Sequence, residues 1–506
     1  MAFCCKRKQE EYKITSDSQA IFNNQADYCI GTGRMGLALQ KAYQEQLAMN
    51  QAEIGFKHIR GHGLFSDDMA IYQEYEDADG KMQAEYNFTY LDMVMDNYLE
   101  QNIRPFLELG FMPEKMASGD QTIFYWKGNV TPPKKYENWQ KLVVATLTHL
   151  MGRYGEEEVL TWPIEVWNEP NLPGFWKDAD MDEYFVLFKK TFEAVKELNP
   201  DFKIGGPAIC GVDDVRWLRA FLEFCVREKI APDFISRHHY MFEKPEMAGH
   251  YTYAPFRNPW ETLEELKVSR ELIDSFVWTK GLPMHITEFN TSYCPDSPVH
   301  DTVRNASYIA WQLSHMGQYS DSYSYWTFGD IFEERGVPFT PFHGGFGLVA
   351  NGLIAKPTFW TFSFFKTLQG RCLKCTDDLT LVETSEGTYR GVAYNMCFDE
   401  KSALELNLEL ELSDGDYTLI TKTVDENHAN PLKTWHEIGE PSHLGKDELA
   451  LLRETARPYV QSDIVRAKDG KLNIALNIDT YGLKWFEIKP LSIKSDRGYD
   501  YKRAVN

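Results

Sequence analysis

Eight short apolar runs, alternating with stretches of helical periodicity between residues 28 and 345, constrain this chain more than any other feature. The runs are DYCIGTG, GFKHIRGHG, NIRPFLELGF, TWPIEVWNEP, DFKIGGPA, PDFISRHHY, LPMHITEFN and DSYSYWTF. The clearest amphipathic stretch between them is MDEYFVLFKKTFEAVKELNP. There Tyr184, Phe188, Phe192, Val195 and Leu198 recur at helical spacing, and Pro200 follows the end. Strands alternating with helices in this way predict an α/β fold, a (β/α)8 TIM barrel over residues 28–345. Such barrels carry their chemistry at the C-terminal tips of the strands.

After FHGGFGLVANGLIAKPTFW the pattern changes. LTLVETSEGTYRGVAYNM, ALELNLELEL, YTLITKTV and LNIALNIDTYGLKWFEIKP read as strands, with turn signals SDGD and KDGK between them. Alternation of Leu404, Leu406, Leu408, Leu410 and Leu412 marks one buried face. Residues 346–506 are therefore expected to form an accessory β-sandwich, and the segment 1–27 to add a strand to it.

Several classes are disfavoured. Acidic residues outnumber basic ones 75 to 53, a formal net charge of -22, which argues against a nucleic-acid partner. No window has the roughly 18 apolar residues of a membrane helix. The start, MAFCCKRKQEEYKITSD, has no apolar leader, and the 9 cysteines are scattered, so a reducing, cytoplasmic location is expected. The lone CxxC at Cys372 and Cys375 is too few ligands for a structural zinc site. GTGRMG places Gly31, Gly33 and Gly36 in a G-x-G-x-x-G pattern, with Glu53 further on, so a dinucleotide-dependent oxidoreductase is an alternative. Against it, Glu53 precedes the second strand rather than ending it.

Two strand ends carry carboxylates. Glu169 ends the fourth run, in VWNEPN, where Pro170 stops the strand; Glu288 ends the seventh, in HITEFN. In a closed barrel both tips open on the same face. Two carboxylates across one pocket suit glycosidic bond cleavage, one protonating the leaving oxygen, the other attacking the anomeric carbon or activating water.

These motifs, together with HIRGHGLFSDD, LELGFMPEKMASGDQTIFYWKGNVTPP, IGGPAICG, DFISRHHY and SYWTFGDIFEERGVPFTPFHGGFGL, resemble glycoside hydrolase family 39, the β-xylosidases, with α-L-iduronidase as a relative. The resemblance implies Glu169 as acid/base and Glu288 as nucleophile of a retaining reaction through a covalent glycosyl-enzyme, with the pair roughly 5–5.5 Å apart. It implies substrate contacts for His62, His238 and Tyr240, and for Glu333 and Glu334 in the FEER loop; Asn168, beside Glu169, is placed to hold the sugar 2-hydroxyl, Trp326 at the eighth strand end to floor the ring, and Phe124 and Tyr293 are further candidates. His239 alternates away from His238 and is given no role. The expected substrate is a xylo-oligosaccharide, the expected assembly a homotetramer, and no cofactor or metal is expected. A catalytically silent carbohydrate-binding barrel is the alternative from another class; retention of both carboxylates and Asn168 argues against it. An iduronidase would want a cation near Tyr240.

Overall fold

The computed structural model describes residues 7–338, 340–385, 387–398, 400–492 and 498–505. Its centre is a closed barrel of eight parallel strands. In chain order these are β1 (Cys29–Arg34), β2 (His58–His62), β3 (Arg104–Leu109), β4 (Ile164–Val166), β5 (Ile204–Ile209), β6 (Phe234–Tyr240), β7 (Met284–Asn290) and β8 (Ser322–Tyr325). Six fall within one of the eight apolar runs each, and β1 and β5 run one residue past theirs, to Arg34 and Ile209. Neighbours in sequence are neighbours in the barrel, and β8 closes on β1 through Ser324–Cys29 and Tyr325–Ile30. A closed barrel is not the open, doubly wound sheet that a dinucleotide fingerprint belongs to. Gly31 instead makes room for a ring: a Cβ there would lie 2.5 Å from Trp326 Cε3. At Gly33 it would press on Phe332 and Leu37.

Helices α1 (Lys41–Glu53), α2 (Thr89–Glu100), α3 (Tyr136–Tyr154), α4 (Met181–Leu198), α5 (Asp214–Glu228), α6 (Pro259–Ser275), α7 (Val303–His315) and α8 (Pro357–Phe365) surround it. Helix α4 starts where Asp180 accepts a hydrogen bond from Glu183 N, and it buries Tyr184, Phe188 and Val195 against the barrel. Helix α8 follows residue 345 but packs on α7: Asn305 donates to Thr358 Oγ1, and Thr361 Oγ1 to the Ala306 carbonyl.

The strands that follow α8 are β9 (Arg371–Cys375), β10 (Leu379–Glu383), β11 (Tyr389–Tyr394), β12 (Ala403–Glu411), β13 (Gly415–Val424), β14 (Tyr459–Ala467), β15 (Lys471–Ile478) and β16 (Leu483–Pro490). Six make one antiparallel sheet in the order β9-β10-β11-β16-β13-β14. The other sheet is β12 between β15 and an N-terminal strand, Arg7–Ile14, which pairs in parallel. The two sheets face each other across Leu381, Leu419, Phe486 and Ile488 on one side and Leu404, Leu406, Leu408, Leu410, Leu472 and Leu476 on the other. Alternation along β12 thus buries every second side chain, as a sandwich requires. Two short helices, Pro431–Glu437 and Lys446–Thr455, interrupt the chain between β13 and β14.

Candidate active site

The end of β4 is held in an unusual course. Trp167 and Glu169 both have left-handed backbones, φ 69° and 43°, at a cost on the order of 1 kcal/mol each for residues with a Cβ. Pairing on both sides compensates. Trp167 N donates to the Leu109 carbonyl of β3, and Glu169 N to the Ala208 carbonyl of β5. Asn171 adds a clamp, bonding the Cys210 N–H and the Cys210 and Val212 carbonyls. The turn delivers Asn168 and Glu169 into a cavity of about 360 Å³ at the C-terminal mouth of the barrel.

Across that cavity stands Glu288, at the end of β7. One oxygen each from Glu169 and Glu288, and one ring nitrogen of His238, lie within 4.8 Å of one another. His238 Nδ1 is 2.8 Å from Glu169 Oε1 and 3.5 Å from Glu288 Oε2. Tyr240 donates its hydroxyl to Glu288 Oε2 at 2.8 Å, and Arg60 Nη1 donates to Glu288 Oε1 at the same distance. Arg60 also donates to Asn168 Oδ1 at 2.9 Å, which leaves the Asn168 NH2 free for another acceptor.

The two carboxyl groups differ in what surrounds them. Burial and the nearby Glu288 charge raise Glu169 well above the usual carboxylate range, with Glu334 and Glu108 adding to the effect and Arg60 opposing it. Burial also raises Glu288, but Arg60, His62 and the Tyr240 hydroxyl pull it back. Both carboxyls are thus raised, and Glu169, with less to oppose its burial, is the better placed of the two to hold a proton. Burial, reinforced by Arg60, keeps His238 neutral.

Of the other residues singled out from the sequence, His62, Trp326, Glu334 and Tyr293 also line the cavity. The Trp326 ring stands 4.6 Å, centroid to centroid, from His62. Burial and the Glu288 charge raise Glu334 well above its ordinary value. Tyr293 is 46% exposed at the rim, edge-on to Tyr240. Phe124 stands one layer back, its ring 6.0 Å from His62 and 5.4 Å from Phe175. Glu333 turns away: Arg34 Nη2 holds its Oε2 at 2.6 Å, outside the cavity lining. Arg335, next to Glu334 in sequence, pairs with Asp296. The loop carrying these residues is braced by buried Lys356, whose Nζ lies 2.6 Å from both Asp301 and Asp330.

Arg60, Glu108 and Glu165 were missed in the sequence. All three side chains are completely buried under the cavity floor, and Arg60 bonds both acids. The available signal was strand alternation. Arg60 precedes His62 by two residues, so it shares the inward face of β2.

The family model "Glycosyl hydrolases family 39" matches residues 13–473. A β-xylosidase of Geobacillus stearothermophilus is 45% identical over 481 residues, covering 94% of this chain and 95% of its own. A β-xylosidase of Caldicellulosiruptor saccharolyticus is 33% identical over 430 residues, covering 83% and 86%. The solved structure of a monomeric β-xylosidase from Caulobacter crescentus CB15 superposes with a TM-score of 0.86 at 32% identity, covering 95% of this chain and 100% of that one.

Proposed function

The chain belongs to glycosyl hydrolase family 39, and on that premise we propose that it is a retaining exo-β-D-xylosidase, releasing xylose from xylo-oligosaccharides. The observation that carries the stereochemistry is the approach of the Glu169 and Glu288 oxygens to within 4.8 Å. Retaining pairs stand roughly 5–5.5 Å apart, whereas inverting pairs need roughly 6.5–9.5 Å to admit a water. A cavity of about 360 Å³ lies at the low end of ligand pockets, roughly 300–1,000 Å³, and suits a chain end better than a polymer.

In the first half-reaction Glu288 attacks the anomeric carbon while Glu169 protonates the departing glycosidic oxygen. Arg60 and Tyr240 keep Glu288 ionised and aimed. Asn168, its oxygen held by Arg60, turns its NH2 toward the sugar 2-hydroxyl, a contact that strengthens as the oxocarbenium ion forms. Trp326 floors the ring, and His62, His238 and Glu334 bind hydroxyls around it. Once Glu288 becomes an ester, the anion that raised Glu169 is gone. Glu169 then acidifies and takes a proton from the incoming water as that water cleaves the ester.

At position 240 the chain carries a tyrosine, whose hydroxyl joins Arg60 in bonding Glu288, so that position itself offers no charge to a uronate. The free thiols of the described cysteines support a reducing, cytoplasmic location. The barrel, residues 28–345, carries the chemistry in this reading, and 346–506 form the accessory unit, with α8 packed on the barrel side. A tetramer is the proposed assembly, and sedimentation velocity tests it. The reaction is tested with a panel of aryl glycosides and no added cofactor. The aryl β-xyloside should be cleaved fastest, with β-xylose as first product by NMR. α-Xylose as first product, or turnover only with a nicotinamide cofactor, overturns the reading.

A further inference from the structure

Three buried carboxylates, Glu108, Glu165 and Glu288, touch the one guanidinium of Arg60. A single cation balances one of them. Glu288 has Tyr240 as a second donor, and Glu165 receives Arg60 Nε at 2.5 Å. Glu108 and Glu165 each leave their Oε1 without a partner, and of the three Glu108 has the longest contact with the cation. Its Oε2 lies 3.0 Å from Arg60 Nη2, which it shares with Asn168, and its Oε1 meets no partner. The groups around it are Arg60 and His62 from β2 and Glu165, its partner in register on β4, with Glu169 and Glu288 beyond. Arg60 is the one cation among them. Burial pushes the Glu108 carboxyl up to about 8 against the pull of Arg60.

A neutral Glu108 has one O–H to place. The acceptor within reach is His62 Nδ1, 2.7 Å from Glu108 Oε2. Burial holds His62 down to about 3, so its ring is uncharged and carries one proton. If Nδ1 accepts from Glu108, that proton sits on Nε2. Nε2 is 3.6 Å from Glu288 Oε1 and faces the cavity. An ionised Glu108 would reverse the arrangement. It would draw the proton to Nδ1 and leave the Nε2 lone pair against the Glu288 oxygen.

We propose that Glu108 is a positioning residue: as a neutral carboxylic acid it fixes the His62 proton on Nε2, where the ring serves as a donor to the Glu288 side of the sugar site. This rests on the reading of Glu288 as nucleophile. It adds a group that never touches substrate yet decides whether His62 donates or repels.

The test uses the full chain and 2,4-dinitrophenyl β-xyloside, whose leaving group departs without a proton, so the protonation of Glu169 drops out of kcat/KM. Between pH 7 and pH 9 wild-type kcat/KM should fall about tenfold, the loss expected for one essential acid ionising near 8. Glu108→Gln should remove that fall, because its amide donates to Nδ1 and does not titrate. Glu108→Leu should lie at least about tenfold below Glu108→Gln at pH 7. The proposal is overturned if Glu108→Gln keeps the wild-type decline, if wild type shows none, or if the leucine variant matches the glutamine one. Imidazole 15N NMR of the wild-type chain, with His62 assigned through His62→Gln, tests the tautomer without relying on a Glu108 variant. Nε2–H at pH 6.5 supports the proposal, and Nδ1–H at that pH overturns it. Failure of wild type to cleave the xyloside would instead count against the β-xylosidase reading.

Discussion

The barrel mouth raises its carboxylates by burial, whereas the ion-paired carboxylates of the β-sandwich are lowered; Asp378, between β9 and β10, is a sandwich group that burial raises. At the mouth, Glu108, Glu169, Glu288 and Glu334 are all raised, burial being the first cause in each. In the sandwich, Glu409, Asp416 and Glu487 are lowered by pairing with Lys471 and Lys13, with Arg466, and with Arg390 and Lys489. The signs of the pH linkage differ accordingly. A raised carboxyl favours the fold while protonated in both states, and that contribution is lost as pH rises from the ordinary value, roughly 4.3, through the folded one. For Glu108 this window runs up to about 8. A lowered carboxyl contributes above its unfolded pKa and loses the contribution as pH falls through the folded value. The mouth therefore accepts crowded charge that does nothing for stability, whereas the sandwich arranges its charges to keep the fold.

The sharpest way to break this contrast is Glu288→Ala. It removes the proposed nucleophile, so kcat should fall on the order of 10⁴- to 10⁶-fold. It also takes one anion from a cluster with a single guanidinium, leaving Arg60 paired to Glu108 and Glu165. Thermal melting at pH 7 should therefore stay level or rise. Loss of activity accompanied by a melting point several degrees lower would show that the cluster supports the fold after all.

Glu169→Ala comes next. Removal of general-acid catalysis should cost roughly 10²- to 10⁴-fold on an alkyl xyloside or xylobiose. The loss of the bond-breaking rate should be far smaller on a dinitrophenyl xyloside, which a pre-steady-state burst of phenolate would show. The part of the alkaline limb that belongs to Glu169 should go from the alkyl-xyloside profile, leaving the fall near pH 8 assigned to Glu108. An equal loss on both substrates would mean that Glu169 positions rather than protonates.

The legibility of the molecule follows the same divide. The eight barrel strands stood out because each is a nearly continuous buried run closed by turn residues, as a parallel sheet covered on both faces demands. Glu169 and Glu288 stood out because a carboxylate at the end of such a run has no packing reason to be there. Arg60, Glu108 and Glu165 did not, because a charge inside a strand reads as a solvent-facing position until the interior of the barrel is known to be charged. Glu333 and Glu334 are adjacent, and only the loop conformation, set in part by Arg34 holding Glu333, decides that Glu334 faces the cavity. In the sandwich the leucine ladder of β12 was plain, but the helix Pro431–Glu437 was not. It is announced only by the Asn430 cap before Pro431, too brief a signal beside strong strand alternation.

A sandwich substitution probes the other half of the comparison. Leu406 on β12 is fully buried between the two sheets. Leu406→Ala should destabilise by roughly 2–5 kcal/mol through lost burial and the cavity left behind. The kcat of the fraction that remains folded should be unchanged, because no residue of this core reaches the barrel cavity. Thermal melting and active-site-titrated kcat check the two halves separately. A fall in kcat for correctly folded protein would show that the sandwich shapes the site.

The smallest effect is expected at Glu487. On β16 its Oε2 receives Arg390 Nε at 2.8 Å from β11, and Lys489 Nζ stands 3.1 Å from its Oε1. Burial raises the carboxyl, but these two cations outweigh it and leave it lowered. Both cationic partners reach solvent, so screening limits the pair to roughly 0–1 kcal/mol at neutral pH. Glu487→Gln should show that deficit at pH 7 in urea unfolding followed by fluorescence. The gap from wild type should close as pH drops below the folded pKa, where wild-type Glu487 is itself neutral. For Glu108→Gln in the barrel the difference runs the other way, toward greater relative stability of the variant as pH rises toward about 8. Two Glu→Gln substitutions in one chain, with pH slopes of opposite sign, would confirm that the contrast lies in the surroundings of the carboxylates. Slopes of the same sign would remove it.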